Sequence, residues 1–285
     1  MANVRLIRRR IRGIQNIGKI TRAMEMIATS KMRRAQEAGL AGHSYAEKIY
    51  QVLSDLAALP QEGRSVHPLL QRRPVNKIAV LHITSDRGLC GGLNANVNRK
   101  TAGFTLEQSV PVTLICVGRK GLDFMRRYGR DIRAEFTRLG DRPSLLDTLP
   151  ISRIVIDDYS NGLIDAVYLA YAQFVSTMVQ RPVLQQILPV EPATLPAGQN
   201  VDYIYEPGPA AVLDELLPRF VEMQVYHVVL ESIASEQSAR MVAMRNATDS
   251  ANELIQDLTL MYNKARQEMI TKELLDITGG AAALA

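Results

Sequence analysis

The sequence contains no tryptophan, and aromatic residues make up only 5% of its 285 positions. Aromatic side chains supply much of the buried area of a large compact core, so their scarcity argues against such a core. Methionine is frequent instead, at 11 residues, together with many alanines and long charged side chains. This composition is typical of long helices packed through small and flexible residues. It favours a coiled coil.

Cysteine is nearly absent. Cys90 and Cys116 are the only two, and their spacing fits no zinc site. Because the sequence carries no recognisable secretory signal, we expect both to be reduced thiols in a cytoplasmic protein. No apolar run approaches the roughly 18 residues of a membrane-spanning helix, so we expect no span.

Signals of catalysis or metal binding are also missing. The sequence has no G-x-S-x-G motif, and the histidines form no pair at i, i+4 spacing, which predicts isolated surface or half-buried side chains. The adjacent Asp157 and Asp158 are interpreted as part of a solvated helix face. We therefore expect no catalytic residue, no metal site and no cofactor. The four histidines are His43, His67, His82 and His227.

Acidic residues are almost excluded from the N-terminus. Residues 1–34 hold ten lysines or arginines against Glu25 alone, which leaves 24 basic and 28 acidic side chains elsewhere. Such an arm implies an acidic partner: nucleic acid, anionic lipid or a protein surface. Because these 34 residues contain no aromatic side chain for base stacking, an acidic protein surface is favoured over nucleic acid. An Arg-rich transit peptide is the lesser interpretation, since the segment runs without a break into a longer helical pattern.

The stretch SDRGLCGGLN, residues 85–94, looks like a phosphate-binding loop because it follows a β-branched apolar run. Its spacing does not fit, however. Gly88, Gly91 and Gly92 do not form G-x-G-x-x-G, and no Lys-Ser or Lys-Thr pair follows. The favoured interpretation is a tight turn between a strand and a helix, with a nucleotide loop as the alternative.

Apolar residues recur at steps of three and four along both ends of the chain. Each pattern predicts a long helix, one over residues 1–58 and one over 209–285, in which Pro218 should kink the helix or delay its start. A helix of that length needs a comparably long partner to bury its stripe. The predicted N-terminal stripe is Val4, Ile7, Ile11, Ile14, Ile17, Ile20, Met24 and Ile27; the predicted C-terminal seam is Ala247, Ala251, Leu254, Leu258, Met261 and Ala265.

Residues 59–208 alternate predicted strands with predicted helices. The strands are residues 77–86, 111–118, 165–175 and 182–190, and the helices are 119–130 and 150–162. This alternation predicts a mostly parallel, doubly wound α/β domain. The expected fold is therefore an antiparallel coiled coil of the N- and C-terminal helices, with that Rossmann-like domain inserted between them.

Three stretches together closely resemble the gamma subunits of F-type ATP synthases: residues 15–36, 85–94 and 235–284. The resemblance implies a non-catalytic rotor shaft that couples proton flow through a membrane ring to ATP synthesis. It further implies three alpha and three beta subunits, an epsilon subunit and the membrane c-ring as partners, and a peripheral location at the cytoplasmic face of the cell membrane. Membrane association would be through the complex alone, with no nucleic acid bound.

The resemblance also implies roles for particular residues. Arg266 and Gln267 would form a catch with a beta loop, Cys90 would lie near an acidic beta lever, and the C-terminal TGGAAALA would turn in a bearing. The partner contacts carried over are Met24, Lys31, Arg34, Cys90, Arg240, Arg266, Gln267 and Thr271. Two other hypotheses remain open at this point: a nucleotide-dependent enzyme that uses the α/β domain, and a free-standing coiled-coil adaptor with a basic arm.

Overall fold

The computed structural model of the chain describes residues 4–58, 67–190, 206 and 208–284. Its contacts divide the chain into two compact units, one formed by Met1–Ala28 with Met241–Ala285 and the other by Thr29–Arg240. We call them the helical unit and the sheet unit. The two long helices are α1, Val4–Ala58, and α5, Pro209–Leu284, and each contributes to both units.

Helix α5 begins at Pro209 and includes Pro218, so the prediction that Pro218 delays its start is wrong. Pro209 suits a first helical position because its fixed φ is already helical. A proline inside a helix costs about 3 kcal/mol. Leu217 and Val221, which flank Pro218, are fully buried, and burying each contributes roughly 1.5–3 kcal/mol, which offsets that cost.

In the helical unit, α1 and α5 run antiparallel. The hydroxyls of Thr21 and Thr248 lie 2.7 Å apart, and a Cβ built on Gly18 would lie 3.6 Å from Ala251 Cβ. Small and hydroxyl side chains at the seam allow this close approach of the two backbones.

The sequence placed the seam of the helical unit partly on the wrong residues. Ile17, Ile20 and Ile27 are more than half exposed, as are Leu254 and Met261. The true seam keeps strict steps of three and four, which is the spacing of a left-handed coiled coil. A search for large apolar residues misses the seam positions that are occupied by Gly, Thr or Ala. The seam comprises Val4, Ile7, Ile11, Ile14, Gly18, Thr21, Met24 and Ala28 on α1, and Met244, Thr248, Ala251, Ile255, Leu258, Tyr262 and Ala265 on α5.

The sheet unit contains a five-stranded sheet in the order β3-β2-β1-β4-β5. Strands β1 to β4 are parallel to their neighbours, and β5 pairs antiparallel with β4. The strands are β1, Ile78–Ile83; β2, Val112–Val117; β3, Ile132–Phe136; β4, Ala166–Phe174; and β5, Gln180–Leu188. The three helices between them are α2, Leu93–Glu107; α3, Arg119–Arg127; and α4, Leu145–Ser160.

Side chains from the two faces of the sheet form two cores. One face packs on α4 and α5, with Leu81, Ile115 and Val155 fully buried. The other face packs on α2 and α3, where Val80, Leu114 and Met125 are fully buried. The doubly wound α/β prediction is therefore confirmed. The sequence analysis missed β3, because only alternate residues of this edge strand are shielded and its pattern resembles that of a loop.

Candidate functional site

The loop after β1 is held in shape by its own side chains. Asn94 Oδ1 accepts a hydrogen bond from the backbone N–H of Ser85 at 3.1 Å, and Asn94 Nδ2 donates to Ser85 Oγ at 2.7 Å and to Cys90 Sγ at 3.2 Å. The turn needs left-handed backbone at Leu89, with φ of 64°, and at Gly91, with φ of 58°. Leu89 adopts this strained conformation while 62% exposed.

The anion position at the start of α3 is filled by the protein itself. Asp86 Oδ1 accepts the backbone N–H of Arg119 at 3.0 Å, and its Oδ2 accepts that of Arg138 at 2.9 Å. In a phosphate-binding loop, free N–H groups at a helix start would point at the ligand. Here a carboxylate takes these donors.

The space beyond the carboxyl ends of β1 and β2 is also filled. Residues of α5, among them Val229 and Ile233, leave a cavity of about 40 Å³, far below the roughly 300 Å³ of a small-molecule site. Glu236 and Asp86 line it, so it is acidic. Burial and, to a smaller extent, the nearby Asp141 and Asp86 raise the pKa of Glu236, while Arg240 lowers it. A phosphate would meet carboxylates here.

Two other glycines are required for packing. Gly118 has φ of +92°, and a Cβ on it would lie 2.0 Å from the Thr84 carbonyl oxygen. A Cβ on Gly121 would lie 2.5 Å from His82 Nε2. The glycines at which an added Cβ would clash therefore lie after β2, whereas in the stretch that resembled a nucleotide loop Gly91 is required only for its positive φ.

Among the predicted contact residues, Cys90 and Arg240 lie on the inside of the sheet unit. Cys90 is 3% exposed and packs against Ala172 and Ala239. Arg240 donates to the Gly88 carbonyl oxygen at 3.1 Å and pairs with Glu236 at 2.7 Å. Arg240 thereby ties α5 to the loop after β1. The predicted roles of Cys90 and Arg240 toward partner subunits stay predictions.

Lys31 and Arg34, the next two predicted contacts, also have partners within the chain. Lys31 Nζ lies 2.6 Å from Asp141 Oδ2, and Arg34 donates to the carbonyl and hydroxyl oxygens of Ser30. Met24 is half-buried in the helical unit. Both cationic side chains remain at the surface, so their charges are available to a larger assembly.

The remaining predicted contacts, Arg266, Gln267 and Thr271, are exposed and lie beyond the seam. Ala265 is the last half-buried residue of α5, and every described side chain from Arg266 to Ala281 is exposed. This stretch is not polar. Its exposed apolar side chains are Met269, Ile270, Leu274, Leu275 and Ile277.

The histidine prediction is wrong for His82, which is fully buried. Its Nε2 lies 2.9 Å from Asn98 Oδ1 and its Nδ1 lies 3.0 Å from Thr101 Oγ1. Burial lowers its pKa to about 4, so the imidazole is neutral, and both ring nitrogens hydrogen-bond to side chains of α2. Hydrogen bonding to two α2 side chains makes this burial possible, and nothing in the local sequence indicates it. His43 lies outside the residues whose side chains are described.

The solvated-face prediction for Asp157 and Asp158 is wrong for the second residue. Asp158 is 7% exposed and accepts two hydrogen bonds from the Arg133 guanidinium, at 3.1 and 3.2 Å. The pair joins α4 to edge strand β3. Because the sequence analysis did not predict β3, it could not predict that Arg133 pairs with Asp158.

Sequence reasoning missed Asp86 and Glu236, which line the small cavity beyond the carboxyl ends of β1 and β2. The available signal was the position of Asp86 directly after an apolar strand, where parallel sheets collect polar residues. Among the described residues, no cluster of His, Cys, Asp or Glu could hold a metal ion. No described helix has the length and apolar content that a bilayer crossing requires.

The exposed apolar surface of two long helices, together with the filled space beyond β1 and β2, fits a structural subunit better than an enzyme. Comparison with known proteins agrees. The family model described as ATP synthase matches residues 3–284. The ATP synthase gamma chain of Dehalococcoides mccartyi strain 195 is 70% identical over 285 residues, covering all of both chains. The chain belongs to the ATP synthase gamma chain family.

More distant members of the ATP synthase gamma chain family agree. That of Herpetosiphon aurantiacus is 50% identical over 293 residues, covering 100% of this chain and 99% of the relative. The structure resembles a chain of the Tetrahymena thermophila mitochondrial ATP synthase central stalk and c-ring, with a TM-score of 0.61 and 25% identity, covering 80% of this chain and 99% of that one. A chain of the Euglena gracilis enzyme shows the same fold, with a TM-score of 0.67 and 20% identity, covering 99% and 94%.

Family membership confirms the resemblance inferred from residues 15–36, 85–94 and 235–284. The chain is a non-catalytic subunit of the central stalk of membrane-bound ATP synthase. The hypotheses of a nucleotide-dependent enzyme and of a free-standing adaptor are therefore set aside.

Proposed function

We propose that the helical unit turns inside a ring of three alpha and three beta subunits and couples proton flow through a c-ring to ATP synthesis. The observation that carries this proposal is the apolar surface that the helical unit leaves uncovered. Monomeric soluble proteins seldom expose large contiguous apolar surface unless a partner covers it. The most exposed of these side chains include Leu6, Ile17, Ile20, Ile27, Leu260, Met261, Leu275 and Ile277.

The sheet unit has a different role in this proposal: it contacts epsilon and the c-ring on the cytoplasmic face of the membrane. The central-stalk and c-ring assembly of the Tetrahymena relative supports this arrangement. The filled space beyond β1 and β2 supports it too, because a unit that only transmits torque needs no ligand to complete its core.

The basic arm supports a contact with acidic segments of beta subunits. Arg8, Arg9, Arg10 and Arg12 are exposed, and no described carboxylate forms a salt bridge with them. Exposed charges a few ångströms apart interact weakly in water, so this contact would steer and centre the shaft more than bind it tightly.

Arg266 and Gln267 are the proposed catch, with Thr271 one helical turn further on. Their exposure beyond Ala265 supports this role, since no described side chain of α1 shields them. An arginine followed by an amide can donate several hydrogen bonds to a loop that passes at right angles to the helix.

The test is co-expression with alpha and beta subunits, native mass spectrometry of the complex, and an assay of ATP-driven proton pumping in membranes with the complete enzyme. We expect one copy of this chain per ring of six. Ile270→Ser with Leu274→Ser should reduce pumping at least tenfold. The control, Leu146→Ser on α4, changes a leucine of the sheet unit that is still more exposed than Ile270 and Leu274, and it should leave pumping within twofold.

The catch is tested separately with Arg266→Ala and Gln267→Ala. Pumping per ATP hydrolysed should fall while the one-copy stoichiometry persists. Assembly with a different stoichiometry, or full pumping in both the apolar pair and the catch variants, would contradict the proposal.

A further inference from the structure

A groove lies between α2 and α3 on the face of the sheet opposite α4 and α5. Its cavity volume is about 740 Å³, within the range of roughly 300–1,000 Å³ that is typical of small-molecule sites. It is separate from the filled space beyond the carboxyl ends of β1 and β2. The residues that matter to its chemistry are Asn98, Arg99, Lys120, Arg127, Tyr128 and Arg130.

Four of these side chains are cationic, and none has a carboxylate partner among the described residues. Other arginines of α3 are paired: Arg126 bonds to Glu135, and Arg119 lies 3.7 Å from Asp123. Because Asp123, the one acid lining the groove, already faces Arg119, the groove as a whole carries excess positive charge. A cleft lined by one sign of charge concentrates ligands of the opposite sign.

Arg130 is placed in the groove by the end of α3. Gly129, with φ of +62°, closes the helix, and the N–H of Arg130 donates to the Met125 carbonyl oxygen at 3.1 Å. The residue at this position of such a helix end is usually apolar and packs back onto the helix. Here it is an arginine whose Nε is buried without a hydrogen-bond partner. An unsatisfied buried donor of this kind destabilises the ligand-free chain.

The groove floor offers a second donor. Asn98 is 5% exposed, and its Oδ1 accepts from the neutral His82 ring. This leaves the amide nitrogen of Asn98 as the group that can donate to a molecule in the groove.

The shape of α2 keeps the groove open. Gly103 occupies the interior of α2, where glycine is less favourable than alanine, yet a Cβ built on it would meet no heavy atom within 4 Å. Packing within the chain therefore does not require this glycine. Gly103 lines the groove, so the missing side chain widens it.

We propose that this groove binds a phosphate-bearing ligand. Arg127 and Arg130 would pair with phosphate oxygens, Arg99 and Lys120 would add charge from the two sides, and Asn98 would donate from the floor. Tyr128, which is 63% exposed, offers an aromatic face to a base if the phosphate belongs to a nucleotide. The two sources of the same chemistry are thus a nucleotide and an inorganic polyphosphate.

The experiment is isothermal titration calorimetry of the full chain with pyrophosphate and, separately, with ADP, both without magnesium. Tighter binding of ADP would assign a nucleotide and a role for Tyr128, and equal affinities would assign the phosphates alone. Either result supports the proposal that the groove binds a phosphate-bearing ligand. No saturable binding of either ligand at millimolar concentration would overturn it.

Variants locate the site. Arg127→Gln with Arg130→Gln should raise the dissociation constant at least tenfold, and Lys120→Gln, a change at an exposed side chain, should raise it severalfold. The control Arg153→Gln removes an exposed arginine from α4 on the other face of the sheet and should change it less than twofold. Circular dichroism checks the fold of each variant. Binding that survives in the folded double variant would also overturn the proposal.

Discussion

The helical and sheet units bury similar side chains to very different extents. In the sheet unit, Leu81 and Leu114 are fully buried between strands and helices of the same chain. In the helical unit, Ile17 and Ile20 are 54% and 60% exposed, and the seam is narrow and rich in small residues. The sheet unit thus completes its own core, whereas the helical unit keeps its largest apolar side chains for contacts outside the chain.

The largest expected effect comes from a single methyl group in the sheet unit. Gly118→Ala would place a Cβ 2.0 Å from the Thr84 carbonyl oxygen on a backbone with φ of +92°. Strain and overpacking together should lower the free energy of unfolding of this unit by about 3 kcal/mol or more. Denaturant unfolding measures this.

Gly13→Ala in the helical unit is the matched control, because a Cβ there meets nothing within 4 Å. It should be neutral or stabilising by up to about 1 kcal/mol. Equal losses in both variants would show that the steric distinction between the two glycines is mistaken.

Truncating one leucine and one isoleucine sharpens the comparison. Leu114→Ala leaves a cavity in a fully buried core and should cost about 3 kcal/mol of stability, whereas Ile20→Ala should cost less than about 0.5 kcal/mol in the isolated chain. The order should reverse for assembly, where Ile20→Ala should weaken binding to alpha and beta subunits. Thermal unfolding measures the stability of each variant, and a pull-down with alpha and beta subunits measures its assembly. If Ile20→Ala assembles as well as the wild-type chain, the exposed apolar surface of the helical unit does not bind those subunits.

Acid should act first on the sheet unit, since all four histidine positions fall within residues 29–240. Burial lowers the pKa of His82 from 6.5 to about 4, so the unfolded state binds a proton in this window that the folded state does not. The stabilisation is complete above pH 6.5 and declines as pH falls toward 4, by about 3 kcal/mol in total.

Burial raises the pKa of Glu231 and Glu236, which act in the opposite direction, so the His82 effect is read as the difference between the wild-type protein and His82→Gln. Denaturant unfolding at pH 7, 6 and 5 gives this difference. It should shrink steadily toward low pH. A constant difference would mean that the pKa of His82 is the same in the folded and unfolded states.

The smallest expected effect lies in the seam of the helical unit. The Thr21 and Thr248 hydroxyls, 2.7 Å apart, should couple by about 0.5–1.5 kcal/mol. A double-mutant cycle with Thr21→Val and Thr248→Val, followed by hydrogen exchange in residues 241–265, measures this coupling. Additive single effects would show that each hydroxyl serves only its own helix.

The sequence predicted the helices and strands better than it predicted which of their residues pack together. The long helices and four of the five strands follow from periodicity, because helix and strand repeats appear in the local order of apolar residues. The seam did not follow, since Gly18, Thr21 and Ala251 are selected by close backbone approach and carry no large apolar side chain. Ile17 and Ile20, which the pattern placed in the seam, are exposed. Burial by subunits outside the chain leaves the same signal in a sequence as burial within it.

For the candidate site, glycine spacing favoured a tight turn over a nucleotide loop, and the structure has a turn there between β1 and α2. The sequence could not show what fills the space instead, because Asp86 and Glu236 meet through contacts between residues about 150 positions apart. The roles of Arg266, Gln267 and Thr271 rest on family resemblance, and only the complete assembly can test them.

Asp86 also determines whether the loop after β1 depends on a ligand for its shape. A phosphate-binding loop is ordered when its ligand is bound and loosens when the ligand leaves, so its shape follows the supply of nucleotide. In the loop after β1 the anion is part of the chain itself: it is the carboxylate of Asp86, which accepts hydrogen bonds from the N–H groups of Arg119 and Arg138. The geometry of this loop therefore does not depend on a bound nucleotide.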